Sequence, residues 1–415
     1  MSVEAKNTYD IFVFGLSRSD NTLSSVTKAF AKELARNHRV FYIDRPYSFK
    51  DLLAVFYSAS FRKKIGAVVF GIGSFRTQTL GTASIVQIIP CLTLPINFLP
   101  PGKLFDFFNR YNNYIIYSAI SKTINRYNVN EYVYFNSFLP VLVPSISKYF
   151  KYQPLVNIYQ SFDEMSGEPY IAKHGVLAED AAILNCDLAI ATSSSLCERH
   201  SKKSNRTVHL VANGVDIDLF DAANNANLER PIEFEQFQKP VIIYTGHYSD
   251  LRLDSDLIIR ICEEFKNCEI VFVGTYDALD LEKFGLNTIE NLHFIGPRNI
   301  EALPAYLKYA QVGIIPYKLT GLTAGIYPLK INEYLAAGLT CVSTNFSKDL
   351  SDFSPYIYLV NSTDEFISKV HLALNEDQKG KRENGINYAT GNSWQSRIEK
   401  LEILISGFLK GELPK

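Results

Sequence analysis

The sequence predicts an α/β protein built from two doubly wound sheets in tandem. Three observations carry this reading. Apolar runs of strand length alternate with amphipathic helical segments along most of the chain. A polar stretch at 221–238 interrupts the alternation once, after which it starts afresh. The chain has 415 residues, 47% of them hydrophobic, more than one core usually takes in.

The first series opens with a strand at 11–14, the loop GLSRSDN, and a helix whose Leu23, Val26, Phe30 and Leu34 share a face. A strand at 39–43 completes a unit of the Rossmann type. Strands at 131–135, 155–159 and 188–191 and a helix at 171–185 follow, and 208–211 with the turn Asn213-Gly214 closes the half that ends at residue 220. The segment DAANNANLERPIEFEQFQ, 221–238, reads as a linker. The second series occupies 239–392. It has strands at 241–244, 269–273, 292–295, 311–316 and 340–344, and helices at 254–265 and 300–310. A last helix is expected at 393–409, within a final segment 393–415.

The most telling stretch is PLKINEYLAAG, 328–338. Lys330 and Glu333 are three apart and so share a helix face, Pro328 suits a first helical position, and Gly338 ends the helix. Ahead of it TGLTAG, 320–325, carries Thr323 and Gly325 and can bend around a phosphate, leading backbone donors toward the positive end of the helix. Glu333 can then accept two hydrogen bonds from a ribose diol. The competing reading has Glu333 complementing the helix dipole and Lys330 solvated. Its setting between two apolar strands favours a ligand site, because ligands of open parallel sheets collect where strands end.

Two further loops offer cations at strand ends: GHYSDLR, 246–252, with Gly246, His247 and Arg252, and GPR, 296–298, with Arg298. An arginine fork pairs with phosphate oxygens and can stabilise the charge on a leaving diphosphate, and Arg252 is the first choice for this. In the first half, Asp163 and Glu164 follow an apolar strand and are the carboxylates placed to meet an acceptor hydroxyl, with loop capping as the alternative; Ser17 is a further acceptor-side candidate.

The net charge of −1 argues against a dedicated nucleic-acid binder. Charge is unevenly spread: 45–128 holds ten basic residues against Asp51 and Asp106, interleaved with aromatic and aliphatic runs. Such a surface can rest on anionic lipid, or can be the basic rim of an ordinary core. No apolar run reaches spanning length, and MSVEAKNTYD has no signal-peptide core, so a cytoplasmic protein is expected, peripheral at most on the membrane. The six cysteines form no CxxC pair and are expected reduced and mostly buried; the seven histidines make no metal motif, so no metal or cofactor is expected.

With these residues in view, the chain resembles retaining glycosyltransferases of the GT-B fold, in particular family 4. The resemblance rests on NGVDIDLF (213–220), CDLAIATSSSL (186–196), NLHFIGPRNIEALPAYLKYAQVGIIPY (291–317) and PLKINEYLAAGLTCVST (328–344). It implies that Glu333 binds the donor ribose and that Arg252 stands where the family has a diphosphate-contacting lysine. His247 replaces a usual arginine, and Gly325 replaces a carboxylate that orients the donor sugar. The resemblance further implies two domains facing across a cleft, donor on the second and acceptor on the first, the final helix returning to the first domain, and metal-free transfer with retention. The expected function is sugar transfer from a nucleotide sugar to a glycan or lipid-linked acceptor in surface polysaccharide assembly. The alternatives are a non-catalytic module that binds nucleotide or glycan, suggested by Gly325 and His247, and a nucleotide-sugar epimerase.

Overall fold

The computed structural model describes residues 9–19, 25–55, 59–81, 83–167, 169–225, 227–375 and 379–413. Leu23, the loop residues Asp20 and Asn21, and residues 1–8 of the N-terminal stretch lie outside them. The chain divides into two compact units: one runs to Thr192 and adds Leu196–Val211 and the residues from Ile398 on, and the other holds Ser193–Ser195 and Ala212–Arg397.

The first unit contains β1 (Asp10–Gly15), β2 (Val40–Ile43), β3 (Phe75–Leu80), β4 (Ala83–Ile88), β5 (Tyr132–Ser137), β6 (Val156–Ser161), β7 (Leu188–Ala191) and β8 (Val208–Leu210). Their order is β3-β4-β2-β1-β5-β6-β7-β8, parallel throughout except for the antiparallel β3–β4 pair. Ile11 to Phe14 of β1 are buried on both faces, as a central strand of a doubly covered sheet requires. A Cβ on Gly15 would lie 2.2 Å from Thr27 Cγ2, so glycine there lets the following helix, Val26–Leu34, approach the strand end. Ser25 caps that helix by accepting from the Lys28 amide. Strand order reverses at β1, which has β2 on one side and β5 on the other.

The basic stretch 45–128 proves to be richly structured. It forms helices Phe49–Val55 and Ala59–Phe70, the β3–β4 hairpin and a 25-residue helix, Lys103–Tyr127. Ile116, Ile120 and Ile124 of the long helix pack on Phe12, Phe41 and Tyr134. One of the ten cations is internal: Lys64 is buried against the buried Asp44 at 3.4 Å.

The second unit contains β9 (Val241–Thr245), β10 (Glu269–Val273), β11 (Leu292–Gly296), β12 (Val312–Ile315), β13 (Cys341–Thr344) and β14 (Tyr358–Val360), all parallel in the order β11-β10-β9-β12-β13-β14. β14 and the helices Thr363–Asn375 and Lys379–Thr390 extend it beyond the expected elements. Asp254 caps helix Ser255–Glu264 by accepting from the Leu257 amide at 3.1 Å. Residues 221–238 lie in this unit, where Phe234 and Phe237 are buried and Phe234 meets Tyr306 edge-on. The last helix is Trp394–Leu409; within the first unit its Glu402 carboxylate lies 3.2 Å from His38 Nε2. All six cysteines are free, four of them buried.

Candidate functional site

In the second sheet β9 and β12 are neighbours at the point of strand-order reversal, and their outgoing loops meet the helix Leu329–Ala336. Pro328 is the N-cap of that helix and not its first residue, because its ψ of 67° is not helical. Gly338, at φ +67°, ends it: its amide donates to Leu335 O and the Leu339 amide to Tyr334 O, the paired bonds of a Schellman turn.

Lys330 crosses the mouth of β9. Gly246 has a φ of +131°, and a Cβ there would lie 2.4 Å from Lys330 Cε. The ammonium donates to Tyr317 Oη at 3.0 Å and stands 5.6 and 5.7 Å from the ring centres of Tyr244 and Tyr317. Lys330 is therefore part of a built cluster rather than a solvated surface lysine. Burial raises the Tyr244 phenol. Burial works the same way on Tyr317, but Lys330, the Tyr244 hydroxyl and Arg252 together hold its phenol below the ordinary value. The guanidinium of Arg252 thus acts on the same two hydroxyls. Its loop is pinned from below: Lys318 donates to Asp250 Oδ1 at 2.5 Å and to Asp250 O at 2.6 Å, and the Lys318 amide donates to Arg252 O at 2.9 Å.

Glu333 lies one helical turn beyond Lys330. Burial pushes its carboxyl up to about 7, with Lys330 pulling the other way. Among the described residues no group hydrogen-bonds this carboxyl, so both oxygens are available to a ligand's hydroxyls.

The other expected residues are placed as follows. His247 is exposed, its Nδ1 2.8 Å from Thr275 Oγ1. Thr323 is fully buried in a capping box with Thr320, its hydroxyl donating to Lys318 O at 2.5 Å, so it shapes the loop from within. Gly325 ends that one-turn helix, and its carbonyl accepts from the Ser193 hydroxyl at 2.8 Å. Arg298 stands at the end of edge strand β11 and is held by Glu233 and by Tyr306 Oη at 2.9 Å, while Tyr306 donates to Glu233 at 2.9 Å. These contacts anchor its guanidinium within the second unit. In the first unit Glu164 accepts from the Ser166 hydroxyl at 2.7 Å and pairs with Arg199, Asp163 accepts from the Glu164 amide at 2.9 Å, and the Ser17 carbonyl accepts from Tyr42 Oη at 2.6 Å. The contacts to the Glu164 amide and the Ser166 hydroxyl are of the kind loop capping makes. Sequence reasoning missed Tyr244 and Tyr317; their place at the ends of β9 and β12 was the available signal.

Among the described residues no group of three or more His, Cys, Asp or Glu is placed to hold a metal ion. Nor is any of their helices long and apolar enough to cross a membrane.

The fold defines a class, the GT-B fold. Residues 239–376 match the family described as Glycosyl transferases group 1. The chain is similar to the Bacillus subtilis (strain 168) protein provisionally named teichuronic acid biosynthesis glycosyltransferase TuaH, with 30% identity over 186 residues. That match covers 44% of this chain and 46% of the relative, about half the length of each. Two solved structures share the fold over nearly all of both chains. One is the α,α-trehalose 6-phosphate synthase of Burkholderia multivorans, with a TM-score of 0.66, 10% identity, and 98% of this chain and 100% of that one covered. The other is Anabaena HepE in complex with UDP and glucose, with a TM-score of 0.58, 14% identity, and 95% and 99% covered.

Proposed function

We propose that this protein is a glycosyltransferase that takes a sugar from a nucleotide-diphosphate donor and passes it to a glycan or lipid-linked acceptor during surface polysaccharide assembly. One observation carries the reading: Glu333 presents a half-buried carboxyl without a hydrogen-bond partner among the described residues, one turn from an ammonium held over two tyrosines. A ribose diol donates two hydrogen bonds, the complement of that carboxylate. Lys330 and Arg252 supply the positive charge for the adjoining diphosphate. In a water-poor site fixed cations of this kind stabilise a departing diphosphate without reorganising. The reaction so organised needs no metal, and the leaving diphosphate can take the acceptor's proton on the face it leaves, giving retention. The group 1 match over 239–376 and the resemblance to a protein named for teichuronic acid biosynthesis support donor class and pathway.

The first unit adds a candidate membrane surface. Leu104, Phe107, Tyr111 and Tyr114 stand exposed along one side of helix Lys103–Tyr127, beside the exposed Lys103 and Arg110. A protein with this surface works at the inner face of an anionic membrane.

The test is donor turnover and nucleoside-diphosphate affinity across a set of nucleotide sugars, with Glu333→Ala as the control. The reading expects at least a tenfold loss of affinity in the variant. Unchanged turnover would remove the site.

A further inference from the structure

The first unit holds a cavity of about 660 Å3 lined by none of the donor or acceptor candidates named from the sequence, although Arg45, Lys50 and Asp51 of the basic stretch 45–128 contribute to it. It sits at the C-terminal ends of the strands flanking the order reversal: Leu16 follows β1, Arg45 follows β2, and residues 138–142 follow β5. This is where open α/β sheets place ligands. Its volume is that of a site for a substantial small molecule.

The lining divides into two chemistries. Residues 138–142 (FLPVL), Ile96, Phe105 and Met165 give apolar walls. Arg45, Lys50 and Lys173, all exposed, stand against a single carboxylate, Asp51, which already lies 3.9 Å from Arg18. Beside them Phe98 and Tyr170 keep 74% and 69% of their surface exposed, although both segments are tied in place. Asn97 Nδ2 donates to Tyr170 O at 3.0 Å, and Lys173 Nζ to Phe98 O at 2.8 Å. Within the cavity Asn109 Oδ1 is buried without a partner among the described residues, while its Nδ2 donates to Val141 O at 2.9 Å.

A bare sugar does not suit this lining. Its hydroxyls could meet polar side chains such as Ser48, Asn97 and Asn109, but they would also be desolvated against residues 138–142, Ile96, Phe105 and Met165, which offer no side-chain partner. An inorganic phosphate would leave the apolar walls unused. A molecule that is apolar at one end and anionic at the other uses both. We propose that the cavity takes the lipid-phosphate end of the acceptor, with the chain along residues 138–142 and out over Phe98 and Tyr170, and the phosphate among Arg45, Lys50 and Lys173. This assignment rests on the glycosyltransferase reading above and narrows its acceptor to the lipid-linked class.

The experiment is calorimetric titration of the full chain with farnesyl phosphate, farnesol and glucose 1-phosphate, alongside a panel of nucleoside diphosphates. Farnesyl phosphate is expected to bind saturably and at least tenfold more tightly than either comparison. Arg45→Glu with Lys50→Glu, both at exposed positions, is expected to weaken farnesyl phosphate at least tenfold and to leave the nucleoside diphosphate unchanged. A chain that binds a nucleoside diphosphate but not farnesyl phosphate overturns the cavity assignment and leaves the donor site standing. So does glucose 1-phosphate matching farnesyl phosphate, or indifference to the charge reversal in a variant with unaltered circular dichroism. Failure of every nucleoside diphosphate overturns the glycosyltransferase reading, and this assignment with it.

Discussion

Gly246 and Lys330 pass so closely that a methyl group on the first would lie 2.4 Å from Cε of the second. The glycine is needed twice, for its φ of +131° and for this passage. Gly246→Ala should cost about 1–3 kcal/mol in backbone strain and push the ammonium off Tyr317. Nucleoside-diphosphate affinity should fall at least tenfold. Gly380→Ala, in helix Lys379–Thr390 of the same unit, is the control, since a Cβ there meets nothing within 4 Å. Equal affinities in the two variants would show that the position of Lys330 does not matter.

Glu333 sets a pH dependence whose sign follows from its environment. In the ligand-free protein burial raises the carboxyl from 4.5 to about 7. Its contribution to stability is therefore complete below about 4.5 and is lost as pH rises through about 7. A diol donating to the carboxylate favours the ionised form, so binding expels a proton below pH 7. Donor affinity should rise about tenfold per pH unit up to about 7 and then level off. Glu333→Gln should flatten the profile. Affinity is the better readout than melting temperature because Glu179, in the first unit, is also raised to about 7 by burial and gives the same trend in stability.

Arg298 separates anchoring from ligand binding. Its guanidinium, with Glu233 and Tyr306, ties residues 231–237 to the loop after β11. Arg298→Ala should lower stability by about 1 kcal/mol, the scale of a partly exposed charged pair, read as a shift in the urea midpoint. Nucleoside-diphosphate affinity should stay within twofold. A tenfold loss of affinity would return Arg298 to the phosphate site.

The paired two-sheet plan was legible because strands such as β1 and β9 are buried on both faces and read as unbroken apolar runs. The β3–β4 hairpin was not: FRTQTL lies half exposed at the sheet edge, with neither an apolar run nor a firm alternation. The helix opening around Lys330 and Glu333 was visible from spacing and from Gly338. What spacing could not supply was partner choice. Arg298 and Arg252 look alike in the sequence, and only the fold brings Glu233, 65 positions away, onto the first of them. The cavity of the first unit escaped for a similar reason, since its walls come from segments scattered between Leu16 and Gly175.

The exposed aromatic side of helix Lys103–Tyr127 gives a direct membrane test. In flotation with vesicles rich in phosphatidylglycerol at low salt, the protein should rise with the lipid, and it should stay behind with neutral vesicles or at 1 M salt, where screening reaches about 3 Å. Phe107→Ser with Tyr114→Ser should abolish flotation, since these rings are 65% exposed and hold nothing in the core. Flotation unchanged by the pair would place any membrane contact elsewhere.

Asp44 and Lys64 form a buried ion pair at the end of β2 that decides how the basic region is held. The carboxylate accepts from the Ser19 amide at 2.8 Å and from Gln87 Nε2 at 2.7 Å, with Lys64 Nζ at 3.4 Å. Burial pushes the Asp44 carboxyl above its ordinary value while Lys64 opposes the shift. Removing the cation alone leaves a buried charge, a change that typically costs about 3–5 kcal/mol. Lys64→Met should therefore lower the urea midpoint sharply. Without the ammonium the carboxyl rises further, so the loss should be smaller at pH 5, where protonation relieves the charge, and larger at pH 8. Asp44→Asn combined with Lys64→Met removes both charges and keeps an acceptor for the Ser19 amide, and it should recover most of the stability at pH 8. A single variant as stable as the parent at pH 8 would mean that water reaches Asp44 and that the two neutral donors suffice to hold it.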